Sequence, residues 1–244
     1  MKRVIRDVED WRELKVLDPQ SGFFADHLQS LQLLRDRVGR DIPIITTIFS
    51  PLAQCKNLAG AERLQEHINA APSDVELGLD IVTNSTIAFI EALRDINIDG
   101  IFYAIQHASY QYFDASSYQR FGEVNDWKIL EAAQAFWLNV LHLHGEALLF
   151  DIPAGYPVQV LNWHDRETWP DLVEGKRLFQ GAVCGGVKRE TISFADPGDV
   201  EAEAHQALHS LEGGRGLILG TGCVIPIITP WANIRALRRA VDFA

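Results

Sequence analysis

Two histidines and a cysteine are the residues of this chain most suited to chemistry. Leu141-His142-Leu143-His144-Gly145 closes one apolar run, and Gly220-Thr221-Gly222-Cys223 closes another much further along. Side chains two apart on a strand share a face, so both imidazoles would point the same way. Two imidazoles and a thiolate form a three-ligand zinc set with one position open, the catalytic rather than the structural pattern. The same residues also fit a plainer account, in which two polar strand ends and a buried cysteine serve packing alone.

Other polar groups gather where apolar runs stop. Ser50 and Gln54 follow the first run, Gln106-His107 the second, and Asn162-Trp163-His164-Asp165-Arg166 the fourth. Cys184-Gly185-Gly186 ends the fifth and Thr221-Gly222-Cys223 the sixth. His164 and Asp165 could act as acid and base, or lie in a solvated loop with Asp165 capping the next helix. Glu146 could steady a metal ligand or be a first-turn helix acid. Ser50, Gln106, His107, Asn162 and Thr221 are candidate substrate contacts. Arg166 and Arg189 could meet a carboxylate or phosphate, or pair with surface acids. Cys55 and Cys184 read as packing residues, and Gly185-Gly186 as a point of close backbone approach.

The elements that must position these groups can be read from hydrophobic periodicity. Strands are expected over 43–48, 100–105, 138–143, 157–161, 178–183 and 216–219. Helices are expected over 7–17, 23–38, 51–58, 61–70, 74–96, 126–136, 168–174, 199–211 and 231–243. Ser73 with Glu76 suggests a capping box for the long helix, and Pro230 suits the start of the last. Strands that alternate with helices imply a parallel sheet covered by helices. Polar and glycine-rich residues at strand C-termini mark the active face of a β/α barrel. No glycine-rich dinucleotide fingerprint follows the first strand.

Composition sets further bounds. The chain has 244 residues, 47% of them hydrophobic and 23% charged, with net charge −11. That suits one domain over 1–244, and the acidity without a basic stripe argues against nucleic acid. Three cysteines without disulfide spacing fit a cytoplasmic protein. Met1-Lys2-Arg3-Val4-Ile5-Arg6-Asp7 lacks the apolar core of a signal peptide, and no apolar run is long enough to span a bilayer. No membrane association is expected.

Several segments resemble one superfamily. Residues 45–60, with Phe49-Ser50-Pro51, are similar to the GPFT strand-to-helix segment of uroporphyrinogen decarboxylases and their relatives. His142-Leu143-His144-Gly145 stands where the corrinoid and coenzyme M methyltransferases of that superfamily carry H-x-C-G. Val160-Leu161-Asn162-Trp163 stands at the decarboxylase LDW strand, and Gly181-Ala182-Val183 resembles the QGN strand loosely. Gly220-Thr221-Gly222-Cys223-Val224-Ile225-Pro226, followed by Thr229-Pro230-Trp231-Ala232-Asn233, closely resembles the C-terminal GxGCxxPxxTPxEN signature.

The resemblance implies a (β/α)8 barrel of the TIM type, of which the chain carries about six β/α units. The first two units fall outside the match, and an open barrel would expose two sheet edges, so a homodimer is expected. Two activities follow as expectations. One is zinc-assisted methyl transfer from a corrinoid, carried by a corrinoid protein, to a small thiol substrate, with His142, His144 and Cys223 as ligands. The other is metal-free decarboxylation of uroporphyrinogen acetate groups in porphyrin biosynthesis. A third expectation is a catalytically inactive barrel partner. His144 stands where the methyltransferases use Cys. Asn57 and Thr221 fall where the decarboxylases carry Tyr and His.

Overall fold

Six strands alternate with helices in the computed structural model, which describes residues 3–211 and 214–243. The fold is α/β with parallel strands, as the alternation predicts, and it comprises two compact units.

The first unit runs to His107 and resumes over Phe113–Asn139. It holds α1 (Asp10–Glu13), α2 (Gly22–Val38), β1 (Ile45–Phe49), α3 (Pro51–Ala59), α4 (Ala61–Ala70), α5 (Pro72–Ile96) and β2 (Gly100–Ile105), with β1 and β2 parallel. It ends in α6 (Ala115–Tyr118), which passes through a π turn into α7 (Val124–Ala132). The 25-residue α5 buries Val75, Leu79, Val82, Phe89, Ile90, Leu93 and Ile96, the stripe expected of a helix facing a core. The capping box expected for this helix does not form. Pro72 opens α5 after Ala71 with no side-chain cap, and Glu76 pairs with Arg120 at 2.6 Å instead. Proline's fixed φ suits the first helical position and moves the start upstream of Ser73.

The second unit takes Ala108–Tyr112 and everything from Val140. Here β3 (Val140–Leu143), β4 (Val160–Trp163), β5 (Ala182–Val187) and β6 (Leu217–Thr221) pair in parallel in that order. The helices are α8 (Leu172–Leu178), α9 (Arg189–Phe194), α10 (Pro197–Ser210) and α11 (Trp231–Arg239). Val187, Ile192, Val200, Ala204, Ala236 and Ala240 form a buried cluster between β5 and its covering helices.

β4, α8 and β5 each start three or four residues later than periodicity suggests. Asp171 explains the helix: its side chain accepts from Glu174 N at 2.9 Å and starts α8 at Leu172, so Leu178 closes a helix rather than opening a strand. Neither α6 nor α9 was expected, both being shorter than the window over which helical periodicity can be read. Among the described residues, no helix is long and apolar enough to cross a membrane.

Candidate metal centre

Strand β3 ends by delivering His142 and His144 to one face, their ring centroids 5.9 Å apart. β4 repeats the same two-residue step, because the register pairs His142 with Asn162 and His164 follows two residues later. The residue between them, Trp163, faces the other way. It is fully buried, donates from Nε1 to Pro170 O at 2.7 Å, and packs so closely on Gly175 that a Cβ there would meet it at 2.2 Å.

Turns fix the strand ends. Gly145 adopts φ +103°, and the segment from Ala108 braces the turn that follows. Ser109 Oγ donates to Glu146 O at 2.6 Å, and Tyr110 N to Ala147 O at 2.9 Å. On β6 the Thr221 hydroxyl donates to Cys223 O at 2.7 Å and bends the chain so that the thiol returns toward the histidines.

The result is a tight group of donors. Cys223 Sγ lies 3.6 Å from His142 Nε2 and 3.6 Å from His144 Nδ1, while His164 Nε2 lies 3.3 Å from His144 Nδ1. One ligand atom from each of the four residues falls within 4.8 Å of the others. A tetrahedron built with Zn–N near 2.05 Å and Zn–S near 2.3 Å has edges of about 3.3 Å (N–N) and about 3.6 Å (N–S). These three spacings match zinc, and so does the nitrogen and sulfur chemistry.

Electrostatics favours neutral, ligand-ready imidazoles. Burial pushes His142 down to about 4, against the hydrogen bond it makes to Asn162 Oδ1, and burial likewise lowers His164 despite its contact with Glu167. His164 Nδ1 stands 3.2 Å from Glu167 Oε2, which also accepts from Arg189 Nη2 at 3.2 Å. Burial acts to raise the Glu167 carboxyl, but Arg189 and His164 together hold it below the ordinary carboxylate range. A carboxylate behind an imidazole fixes its orientation and raises its basicity. Sequence reading missed Glu167. Its signal was the three-residue spacing from His164.

Beside the donors opens a cavity of about 570 Å³, lined by Glu146, Arg166, Glu167, Lys188, Arg189 and Phe194 among others. Arg166 Nη2 and Arg189 Nε are buried and lack hydrogen-bond partners.

The remaining candidates fall in several places. Asp165 caps no helix. Its Oδ2 accepts from Gly186 N at 3.0 Å, Oδ1 is buried without a partner, and burial raises the carboxyl to about 6. Gly185 makes room for it, since a Cβ there would sit 2.4 Å from Asp165 Oδ1. Asn162 and Thr221 contact protein groups around the donors. Glu146 lines the cavity with its carboxylate exposed. Cys184 lies outside the cluster, its thiol pushed up by burial to about 11, and burial also raises that of Cys55. In the first unit, Ser50 caps α3 by accepting from Ala53 N at 3.4 Å, and Gln106 accepts from Lys56 Nζ at 3.1 Å. His107 is buried edge-on to Phe113.

A parallel α/β sheet with its donor groups at strand C-termini is the build of a barrel-type enzyme. The family model for uroporphyrinogen decarboxylase (URO-D) matches residues 1–243, and the chain belongs to this family of enzymes. It is 28% identical over 224 residues to the methylcobamide:CoM methyltransferase MtaA of Methanosarcina barkeri, covering 88% of this chain and 62% of that protein. It is 24% identical to the methylcobamide:CoM methyltransferase MtbA of Methanosarcina acetivorans, over 97% of this chain and 69% of that one. The chain thus spans 62% to 69% of the length of these curated relatives. Among solved structures, a methyltransferase from Methanosarcina mazei superposes with a TM-score of 0.82 at 24% identity, over 94% of this chain and 67% of its own. A B12-independent methionine synthase from Shewanella sp. gives 0.61 at 14%, over 88% and 65%. These likenesses show the fold.

Proposed function

We propose that the chain holds zinc through His142, His144 and Cys223 and methylates a small thiol, drawing the methyl group from a corrinoid. The observation that carries this reading is the 3.6 Å spacing of Cys223 Sγ from both His142 Nε2 and His144 Nδ1, three donors that leave one zinc position for the thiol beside His164. Bound zinc would supply a Lewis acid that lowers the pKa of a substrate thiol.

The chain's own residues would do the rest. His164 Nε2 takes the thiol proton, while Glu167, held by Arg189, steadies the resulting imidazolium from Nδ1. The unpartnered Arg166 Nη2 and Arg189 Nε offer donors to an anionic end of the substrate in the adjoining cavity. A corrinoid-bearing protein is proposed as partner. The segment after Cys223 supports this, since it exposes Val224, Ile227, Ile228 and Trp231, an apolar stretch suited to docking.

Metal analysis of purified protein is the first test, with about one zinc per chain expected, lost in His142→Ala and Cys223→Ala but kept in His164→Gln. Methylcobalamin with 2-mercaptoethanesulfonate is the second, with His164→Gln slowing methyl transfer about 100-fold. Protein without zinc, or turnover untouched in His142→Ala, would refute the proposal.

A further inference from the structure

The amide of Asn162 is engaged at both ends. Nδ2 lies 2.8 Å from Cys184 O on β5 and 3.1 Å from Thr221 O on β6. Carbonyl oxygens only accept, so the NH₂ end of the amide must face them. Oδ1 is thereby turned to His142, 2.6 Å from Nδ1. An amide oxygen also only accepts, so Nδ1 carries the proton and Nε2 keeps its lone pair. Nε2 is the atom facing Cys223 Sγ.

We propose that Asn162 is a positioning residue of the metal centre, locking His142 in the Nδ1–H tautomer so that Nε2 is presented as a ligand before any metal arrives. The same amide bonds the carbonyl of Thr221, whose hydroxyl shapes the turn bearing Cys223. One side chain therefore anchors a donor from β3 and the base of the turn that supplies a donor from β6. His164 is steadied differently, by a carboxylate. A neutral amide fixes the orientation of His142 without adding negative charge behind it, so the two imidazoles are oriented alike and tuned apart. What Nε2 holds rests on the zinc reading above; the tautomer does not.

The test uses the full chain. In metal-free protein, ¹⁵N NMR of labelled histidines, with His142→Gln to assign the resonance, should show His142 as the Nδ1–H tautomer. An Nε2–H form, or a mixture, overturns the proposal. Two variants then separate orientation from strand-tying. Asn162→Asp keeps the acceptor and drops the donor, whereas Asn162→Leu removes both. In chelator competition for zinc, Asn162→Leu should bind about 10–100-fold more weakly, and Asn162→Asp within about threefold of the parent. Thermal melts report the lost strand contacts in both. An Asn162→Asp protein as weak for zinc as Asn162→Leu would make Asn162 a strand tie only and overturn the proposal. If neither variant folds, the parent spectrum decides. A parent that binds no zinc yet shows the Nδ1–H tautomer fails the function reading while this inference stands.

Discussion

Gly222 tests whether the geometry of the donors, rather than their identity, sets the proposed metal centre. No ligand is changed in Gly222→Ala. A Cβ at this position would lie 2.5 Å from Trp163 O, 2.8 Å from His164 Cα and 3.2 Å from Asp165 Oδ1. A carbon against a carbonyl oxygen normally keeps at least about 3.3 Å, so the chain must open by roughly 0.8 Å. The two nearest obstacles are backbone atoms of the β4 end, which carries His164, and they cannot swing aside as a flexible side chain would. The gap therefore opens between that strand end and the turn bearing Cys223. Metal–ligand distances tolerate shifts of only about 0.2 Å. Zinc affinity should fall about 10–100-fold, the scale of a disturbed ligand orientation. The overpacking should cost about 1–3 kcal/mol in the melt of the metal-free protein. Gly155→Ala is the control, since nothing lies within 4 Å of its Cβ position. Chelator competition and a thermal melt on the three proteins decide it. A Gly222→Ala protein that matches the parent in both would refute the reasoning from close approach.

Two further outcomes are expected away from the donors. Burial, with Lys56 adding to it, lowers His107 to about 4 from an ordinary 6.5, so between those values the unfolded chain binds the proton that the folded chain refuses. Stability should fall by up to about 3 kcal/mol as pH drops from 6.5 to 4, and His107→Gln should flatten that part of the urea-midpoint profile. Parallel profiles for the two proteins would sink this account. Asp126 is buried and accepts from Tyr103 Oη and Tyr118 Oη, each at 2.5 Å. Asp126→Ala leaves both hydroxyls without that acceptor and should cost about 3 kcal/mol in chemical denaturation, and a loss well under 1 kcal/mol would contradict it.

Much of the architecture was legible because hydrophobic periodicity survives in this chain. β2 and α4 fall at the expected residues, and α5 differs only at its start. Periodicity failed where apolar residues close one element just before the next begins. Leu178 and Phe179 look like the start of a strand, yet they end the helix that Asp171 opened, and β5 follows at Ala182. The convergence of His142, His144 and Cys223 was legible for a simpler reason. All three sit where apolar runs stop, and parallel strands bring such ends to one edge of the sheet.

The parts of the site that stayed hidden share a cause. A polar residue at a strand end shows in the sequence, but the groups that use up its hydrogen bonds lie on neighbouring strands and depend on register. Asn162 was read as a substrate contact because it is polar and near a strand end. Only the pairing of His142 with Asn162 and of Asn162 with Cys184 puts its amide between an imidazole and two carbonyls. The glycines follow the same logic. Gly185 lies on β5 and Gly222 just past β6, yet a Cβ on either would press on Asp165, and Gly186 gives that carboxylate its N–H. Glycines at points of close backbone approach thus give room and a hydrogen bond to a buried carboxylate beside the donors. That carboxylate follows His164 directly, so the clearance that admits it also sets where His164 leaves β4.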